Sequence, residues 1–299
     1  MIKIDLITGF LGSGKTTFLI KYAKYLIDNG ENVCILENDY GPVNVDMMLL
    51  DSLNCDREMI SGGCDFECHQ RRFRTKLITM GIKGYTRVII EPSGIFEPDE
   101  FLDLLYEEPL DSLYEIGNIF CIYDINTKDL SYESRYILAS EASVSSKLIV
   151  SKRENNELVN LDYINNILKE FNSNKRFTNN DVYYTNNLKI EDIINSGYSN
   201  FDHIKIPVNK DNNYDSLYFL DINIDLNQIN KYKEELFNNN IYGNVVRIKG
   251  FILNNDKWIS INYTRNENNI INVKLGQKVI IVIGEGLNKE LINKLFNGE

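Results

Sequence analysis

The sequence predicts an α/β fold in which a doubly wound parallel sheet is followed by a small C-terminal α+β domain. Over residues 1 to about 200, short apolar runs alternate with helical patterns, as expected when crossover helices connect parallel strands. Near residues 200–214 this alternation is interrupted by Pro207 and a polar run. Further strand-like and helical runs follow. We therefore expect one domain at residues 1–200 and a second at residues 214–299.

The strands of the first domain are predicted from largely apolar runs, which indicate burial on both faces of a sheet. These runs lie at residues 2–7, 33–36, 88–90, 119–124 and 147–150. A first helix is predicted from apolar residues at helical spacing between Leu19 and Ile27, with Asn29 and Gly30 as a stop signal. A second helix-like run opens around Arg71. Residues 42–60 carry few structural signals, which favours a mobile switch segment.

The second domain combines both patterns and is predicted to be α+β. Strand-like runs lie at residues 217–224, 245–252 and 279–283, and helical spacing occurs at residues 229–237 and near 287–296.

Residues 9–17 match the phosphate-binding pattern G-x-x-x-x-G-K-[ST] between the first predicted strand and helix. Glycine permits the backbone angles that bring N–H groups around a phosphate, and the helix N-terminus favours the negative charge. Lys15 is expected to contact the β- and γ-phosphates, and the Thr16 hydroxyl to ligate Mg²⁺. The predicted nucleotide-binding residues of this loop are Gly9, Gly12, Ser13, Gly14, Lys15, Thr16 and Thr17. The sequence thus predicts a nucleotide-binding protein.

Carboxylates follow two of the predicted strands, at the edge where parallel sheets bind ligands. Glu37, Asn38 and Asp39 follow the second run and are expected to face the phosphates or Mg²⁺, the alternative being a solvated turn. Glu91 ends the run at 88–90 and is expected to act near Mg²⁺ and the attacking water. We predict Lys15, Asp39 and Glu91 as catalytic residues, and Glu37 as a secondary Mg²⁺ ligand.

Two thiols and an imidazole, Cys64, Cys68 and His69, lie within six residues after a double glycine. Thiolate and imidazole ligands suit Zn²⁺ or a neighbouring transition metal. Cys64 and Cys68 would share a face if they begin a helix, and a fourth ligand would come from elsewhere. The alternative is that these side chains only pack.

Composition excludes several classes of protein. The net charge of −11 and the absence of a basic cluster argue against non-specific nucleic-acid binding. No apolar run approaches the roughly 20 residues of a membrane span. With five scattered cysteines and no export signal, we expect a cytoplasmic protein without a disulfide framework.

The order of these motifs resembles the CobW-type GTPases, relatives of the nickel chaperones for urease and hydrogenase, over nearly the whole chain. Residues 9–17 match that family's phosphate loop, residues 38–41 resemble its Asn-Glu-Phe-Gly segment, and residues 91–94 match its Glu-x-x-Gly. Residues 247–250 and 283–286 resemble hallmarks of its C-terminal domain. The resemblance implies a GTPase that delivers or inserts a metal into a client metalloprotein or corrinoid protein, and it leaves a homodimer open.

Two motifs depart from the family pattern. Its Cys-x-Cys-Cys is interrupted after Cys64, so only the first thiol carries over directly. Its guanine-reading Asn-Lys-x-Asp is replaced by Ser151, Lys152, Arg153 and Glu154; we still predict Ser151, Lys152 and Glu154 as nucleotide contacts, with GTP favoured and ATP a rival. The interrupted cysteine motif motivates an alternative function, a nucleotide switch that activates a partner without carrying metal. A small-molecule kinase is a third reading, for which no acceptor pocket or lid is visible.

Overall fold

The computed structural model describes residues 1–38, 53–60, 66–92, 98–154, 157–199, 214–265, 267–273 and 276–297. Asp39 and Cys64 lie outside these ranges, and the backbone but not the side chain is described for Cys68 and His69. The chain divides into two compact units, each built on its own sheet. None of the described helices has the length and apolar character needed to cross a membrane.

The first unit is built on a sheet of seven described strands, all paired in parallel. Their order is β3-β2-β4-β1-β5-β6-β7. The strands are β1 Ile2–Thr8, β2 Val33–Asn38, β3 Asp56–Ile60, β4 Arg87–Pro92, β5 Tyr114–Asp124, β6 Lys147–Ser151 and β7 Val182–Tyr184. The predicted parallel α/β sheet is confirmed, and the central position of β1 places the loop that follows it at the middle of the sheet.

Helices pack against this sheet through their apolar faces. They are α1 Lys15–Asp28, α2 Phe66–Gly81, α3 Pro98–Leu105, α4 Leu110–Leu113, α5 Tyr132–Val144 and α6 Leu161–Glu170. Helix α1 buries Phe18, Leu19, Tyr22, Ala23 and Leu26, which follows the predicted spacing. Helix α5 is buried almost all round, from Tyr136 to Val144.

Two strands of this sheet were not predicted. Strand β3 is an edge strand with mixed exposure, and its Glu58 forms ion pairs with Lys76 at 2.9 Å and Lys83 at 2.6 Å. Such a strand lacks the continuous apolar run of a buried one, so the switch segment expected over residues 42–60 is wrong for residues 56–60. Strand β7 is only three residues long, too short for a periodicity to be recognised.

A buried polar network joins β1, α1, β4 and β5. Arg87 Nε donates to Asp5 Oδ2 at 2.7 Å, and Tyr22 donates to the same oxygen at 2.9 Å. The backbone N–H of Asn118 donates to Asp5 Oδ1 at 2.6 Å. All four residues are less than 5% exposed. The carboxylate has room because residue 117 is glycine: a Cβ there would lie 2.2 Å from Asp5 Oδ1.

The second unit is built on an antiparallel sheet of five described strands in the order β11-β10-β9-β12-β8. The strands are β8 Tyr214–Leu220, β9 Asn244–Asn254, β10 Lys257–Thr264, β11 Glu267–Val273 and β12 Val279–Glu285, and the helices are α7 Leu226–Asn238 and α8 Lys289–Asn297. Apolar residues of both helices pack with those of the sheet in one core. The α+β prediction is confirmed, although the β10–β11 pair was missed and β8 ends at Leu220, because Asp221 turns the chain with φ +53°.

Candidate nucleotide-binding site

The loop between β1 and α1 depends on glycine at three positions. Gly9, Gly12 and Gly14 have φ values of 143°, 74° and 94°, a region that side chains disfavour. Gly14 immediately precedes α1 in the left-handed conformation. At Gly9 space is also lacking, since a Cβ would lie 2.3 Å from the carbonyl oxygen of Ile122. The backbone therefore curls in front of the N-terminus of α1, where N–H groups without helical partners favour an anion.

We expect Gly9→Ala to weaken nucleotide affinity by about tenfold or more, because the strain and the clash with β5 must displace the loop. The matched control is Gly30→Ala, where φ is also positive at 86° but no atom lies within 4 Å of the added Cβ. Gly30→Ala should lower the free energy of unfolding by about 1 kcal/mol and leave affinity unchanged. Calorimetric titration with Mg·GDP measures both variants; equal affinities would contradict the role of Gly9.

Lys15 is buried beside the loop, with 6% of its surface exposed. Its ammonium donates to the carbonyl oxygen of Gly9 at 2.7 Å. This contact holds the charge over the start of the loop, where the β- and γ-phosphates are expected. Ser13, also in the loop, is 2% exposed and its N–H closes a turn to the Phe10 carbonyl at 3.1 Å. Thr17 is exposed at the start of α1.

Thr16 connects the loop to the end of β4. Its hydroxyl donates to Glu91 Oε1 at 2.8 Å, a contact between residues 75 positions apart in the sequence. Glu37 on β2 is paired in register with Glu91 on β4, and the two residues are 3% and 6% exposed. A hydroxyl and two buried carboxylates are oxygen ligands of the kind that Mg²⁺ prefers, so the donor set fits the predicted ion.

The residues after β6 lie on the opposite side of the loop. Ser151 Oγ donates to the carbonyl oxygen of Ser13 at 2.5 Å, which makes this serine a support of the phosphate loop. Lys152 has φ +54° and pairs with Asp124 Oδ2 at 3.0 Å. Glu154 is exposed, and Arg153 lies 4.0 Å from the Tyr184 ring centroid. Ser151 and Lys152 thus have protein partners, while the Glu154 side chain extends towards solvent.

The described part of the structure does not test whether the predicted transition-metal ligands lie close together. Cys68 and His69 lie in the first turn of α2, while Cys64 and the side chains of both lie outside the described part. Among the described side chains no group of three or more His, Cys, Asp or Glu residues is arranged to hold a metal ion. The Cys64, Cys68 and His69 site and the role of Asp39 therefore stay predictions.

Sequence reasoning missed one buried carboxyl group at this site. Glu141 on α5 has no solvent exposure and lies among Thr8, Gly9 and Lys15. The available signal was a single glutamate inside the small and apolar run at residues 137–144, where an ionisable group is rare unless it is paired.

Comparisons with known proteins agree with this geometry. The family described as CobW/HypB/UreG, nucleotide-binding domain, matches residues 3–179. The zinc chaperone YeiR of Escherichia coli (strain K12) is 34% identical over 125 residues, 42% of this chain and 38% of YeiR. The zinc chaperone YjiA of the same organism is 23% identical over 162 residues, 51% of this chain and 50% of YjiA. The chain thus spans about half or less of the length of these curated relatives.

The match to the Zn(II)-bound YjiA GTPase from E. coli covers 99% of this chain and 98% of the YjiA chain, at 18% identity and a TM-score of 0.38. The match to the hydrogenase maturation factor HypB from Archaeoglobus fulgidus covers 51% of this chain and 66% of the HypB chain, at 14% identity and a TM-score of 0.35. The family match over residues 3–179 includes the described phosphate loop and most of the parallel sheet, and the chain belongs to the CobW/HypB/UreG family.

Proposed function

We propose that this protein is a metallochaperone-like GTPase that couples GTP hydrolysis to delivery or insertion of a metal ion, zinc first among the candidates, into a client protein. The observation that carries the nucleotide part is the Thr16–Glu91 contact at 2.8 Å beside the buried Lys15. The two curated relatives are named zinc chaperones, which supports zinc as cargo. We also propose a GTPase domain at residues 1–200 and a CobW-like domain at residues 214–299.

In the proposed reaction the loop amides and the Lys15 ammonium bind the β- and γ-phosphates. Thr16 and the carboxylates of Glu37 and Glu91 would hold Mg²⁺, which supplies positive charge to offset that of the phosphates. Glu91 or Asp39 orients the attacking water by accepting its hydrogen bond. We assign no arginine finger, so we expect slow turnover until a partner binds.

The base is proposed to be guanine, although Ser151 stands where the family's guanine-recognising motif has asparagine. Glu154 carries a carboxylate that can accept from the N1 and N2 amines, while the aliphatic stem of Lys152 can lie along the ring. Ser151 contributes through the loop, by its hydrogen bond to Ser13. ATP stays the rival because an amide that would select guanine is missing at position 151.

The metal cargo is proposed to bind at Cys64, Cys68 and His69, since thiolate and imidazole suit Zn²⁺. A site with three local ligands leaves a position open for transfer to a client metalloprotein or corrinoid protein. We expect this transfer in the cytoplasm, with a homodimer as an open possibility for the assembly.

The proposal is tested by the zinc affinity of reduced protein, measured by competition with a chromophoric chelator in Mg·GDP and in a non-hydrolysable Mg·GTP analogue. We expect about one zinc per chain and an affinity that differs at least about fivefold between the nucleotides, the lower end of ordinary coupling. The Cys64→Ser/Cys68→Ser variant should lose this binding. The control, Cys34→Ala, removes a thiol buried in β2 and should keep it.

The second candidate is a nucleotide switch that activates or remodels a partner without carrying metal. The Asp-Phe-Glu run that separates Cys64 from Cys68 favours it. Zinc affinity unchanged in the double cysteine variant, together with nucleotide-dependent capture of a partner in metal-free buffer, would replace the metallochaperone proposal by this one.

A further inference from the structure

A carboxyl group with no assigned role lies beneath the phosphate loop. Glu141 sits on α5 and has no solvent exposure, and its neighbours on the helix from Tyr136 to Val144 are buried as well. A glutamate this deeply buried is uncommon, because the charged form loses its hydration. Its position beside Lys15 suggests that it acts on the loop rather than on the stability of the helix.

Three groups in and beside the loop face this carboxyl: the Thr8 hydroxyl, the Gly9 backbone N–H and the Lys15 ammonium. Burial outweighs their attraction for the charged form and raises the pKa of Glu141 to about 8. Within the described ranges, neither carboxyl oxygen nor Thr8 Oγ1 completes a hydrogen bond of good geometry. Near pH 7 the group is therefore mostly protonated and neutral.

The other titratable group facing this carboxyl, among the residues that the structure describes, is the Cys121 thiol of β5. Burial raises the pKa of Cys121 well above its usual range, so the thiol stays protonated between pH 7 and 9. Helices α3 and α6 also pack against α5, but no described charged side chain of either acts on Glu141. Between pH 7 and 9, Glu141 is therefore the described group beneath the loop whose charge changes, and Lys15 is its charged neighbour.

We propose that Glu141 is a positioning residue for the phosphate loop and controls, through its protonation, how well Lys15 serves a bound phosphate. This inference rests on the proposed nucleotide binding. A neutral carboxyl leaves the ammonium to the phosphates, whereas a carboxylate competes for the same ammonium and repels the phosphate charge. Both effects are strong because the site is buried and poorly screened.

The direction of the pH dependence follows from this competition. Phosphates draw Lys15 away from Glu141 and add negative charge nearby, so binding raises the pKa of Glu141 further. The bound state then holds more protons than the unbound one near pH 8, and affinity must fall as pH rises through that value. With the unbound pKa at about 8, affinity should fall about tenfold between pH 7 and pH 9.

The test compares the affinity for Mg·GDP at pH 7 and pH 9 in reduced, zinc-free native protein and in Glu141→Gln. The affinity of the native protein should fall about tenfold from pH 7 to pH 9. The affinity of the variant, whose residue 141 cannot ionise, should change about twofold or less. At pH 9 the variant should bind Mg·GDP more tightly than the native protein. Titration of the nucleotide itself is common to both proteins. Glu133→Gln, on an exposed position of the same helix, should keep the native pH dependence.

Proton uptake provides a second measurement that needs no variant. Calorimetry at pH 8 in buffers of different ionisation enthalpy should show uptake of about half a proton per Mg·GDP bound by the native protein. Zero uptake, or an equal pH dependence in native protein and Glu141→Gln, would overturn the role of Glu141 while leaving nucleotide binding intact. Absence of nucleotide binding at every pH would overturn both proposals.

Discussion

Arg87→Met should lower the free energy of unfolding by about 3–5 kcal/mol, the usual cost of removing one partner from a buried ion pair. Arg87 and Asp5 have side chains 5% and 0% exposed and are joined at 2.7 Å. Without the guanidinium the Asp5 carboxylate would keep hydrogen bonds from Tyr22 and Asn118 but lose its only countercharge among the described contacts. Urea unfolding followed by far-UV circular dichroism measures the change; tryptophan fluorescence does not suit, because Trp258 lies in the second unit.

The matched control is Arg135→Met. Arg135 also pairs with a carboxylate, donating to Glu170 Oε1 at 2.9 Å and to Oε2 at 3.0 Å, but these side chains are 29% and 36% exposed. A pair at the surface is worth about 1 kcal/mol or less. The double variant Asp5→Asn/Arg87→Met should lose less free energy of unfolding than the two single variants together, because it leaves no unpaired buried charge. Equal costs for Arg87→Met and Arg135→Met would contradict this account.

Lys15→Ala should lower kcat/KM for GTP by about 10²–10³-fold, the range found when one preorganised donor to a developing negative charge is removed. The fold should survive, because Glu141 is mostly neutral near pH 7 and losing the nearby ammonium leaves no unpaired carboxylate. Steady-state release of inorganic phosphate, with calorimetric titration of Mg·GDP, measures the effect.

Lys24→Ala serves as the control for Lys15→Ala, since Lys24 is an exposed residue of the same helix. It removes one positive charge from α1 at a distance from the loop and should leave kcat/KM unchanged. Hydrolysis in Lys15→Ala at the rate of Lys24→Ala would refute the assignment of Lys15 to the phosphates.

The sequence predicted the parts of the fold whose burial is uniform. Strands β1, β4 and β6 are largely apolar and almost entirely buried, and α1 shows its buried spacing directly. Strands β3 and β10 escaped prediction for the opposite reason: their polar residues, such as Glu58, form ion pairs or alternate with buried residues. Strand β3 lies at the edge of its sheet and exposes one side to solvent and charged partners, so its composition resembles that of a loop.

The candidate site was predictable as far as the local motif extends. Residues 9–17 carry their own signal, and Glu91 follows from its place at a strand end. Glu141 and Asp124 were out of reach because their proximity to Lys15 and Lys152 arises from contacts between distant segments. Ser151 was predicted as a nucleotide contact, whereas its described hydrogen bonds go to the carbonyl oxygens of Ser13 in the phosphate loop and Tyr123 on β5.

The hydrogen bond from Ser151 to Ser13 spans 138 positions of the sequence and has a thermodynamic consequence. It fastens the segment expected to touch the base to the segment expected to touch the phosphates, so neither can adjust to its part of a ligand independently. We therefore expect the free energies that base and phosphate contribute to binding to be non-additive. A substitution that changes the preference between purines should therefore also change the preference between di- and triphosphates.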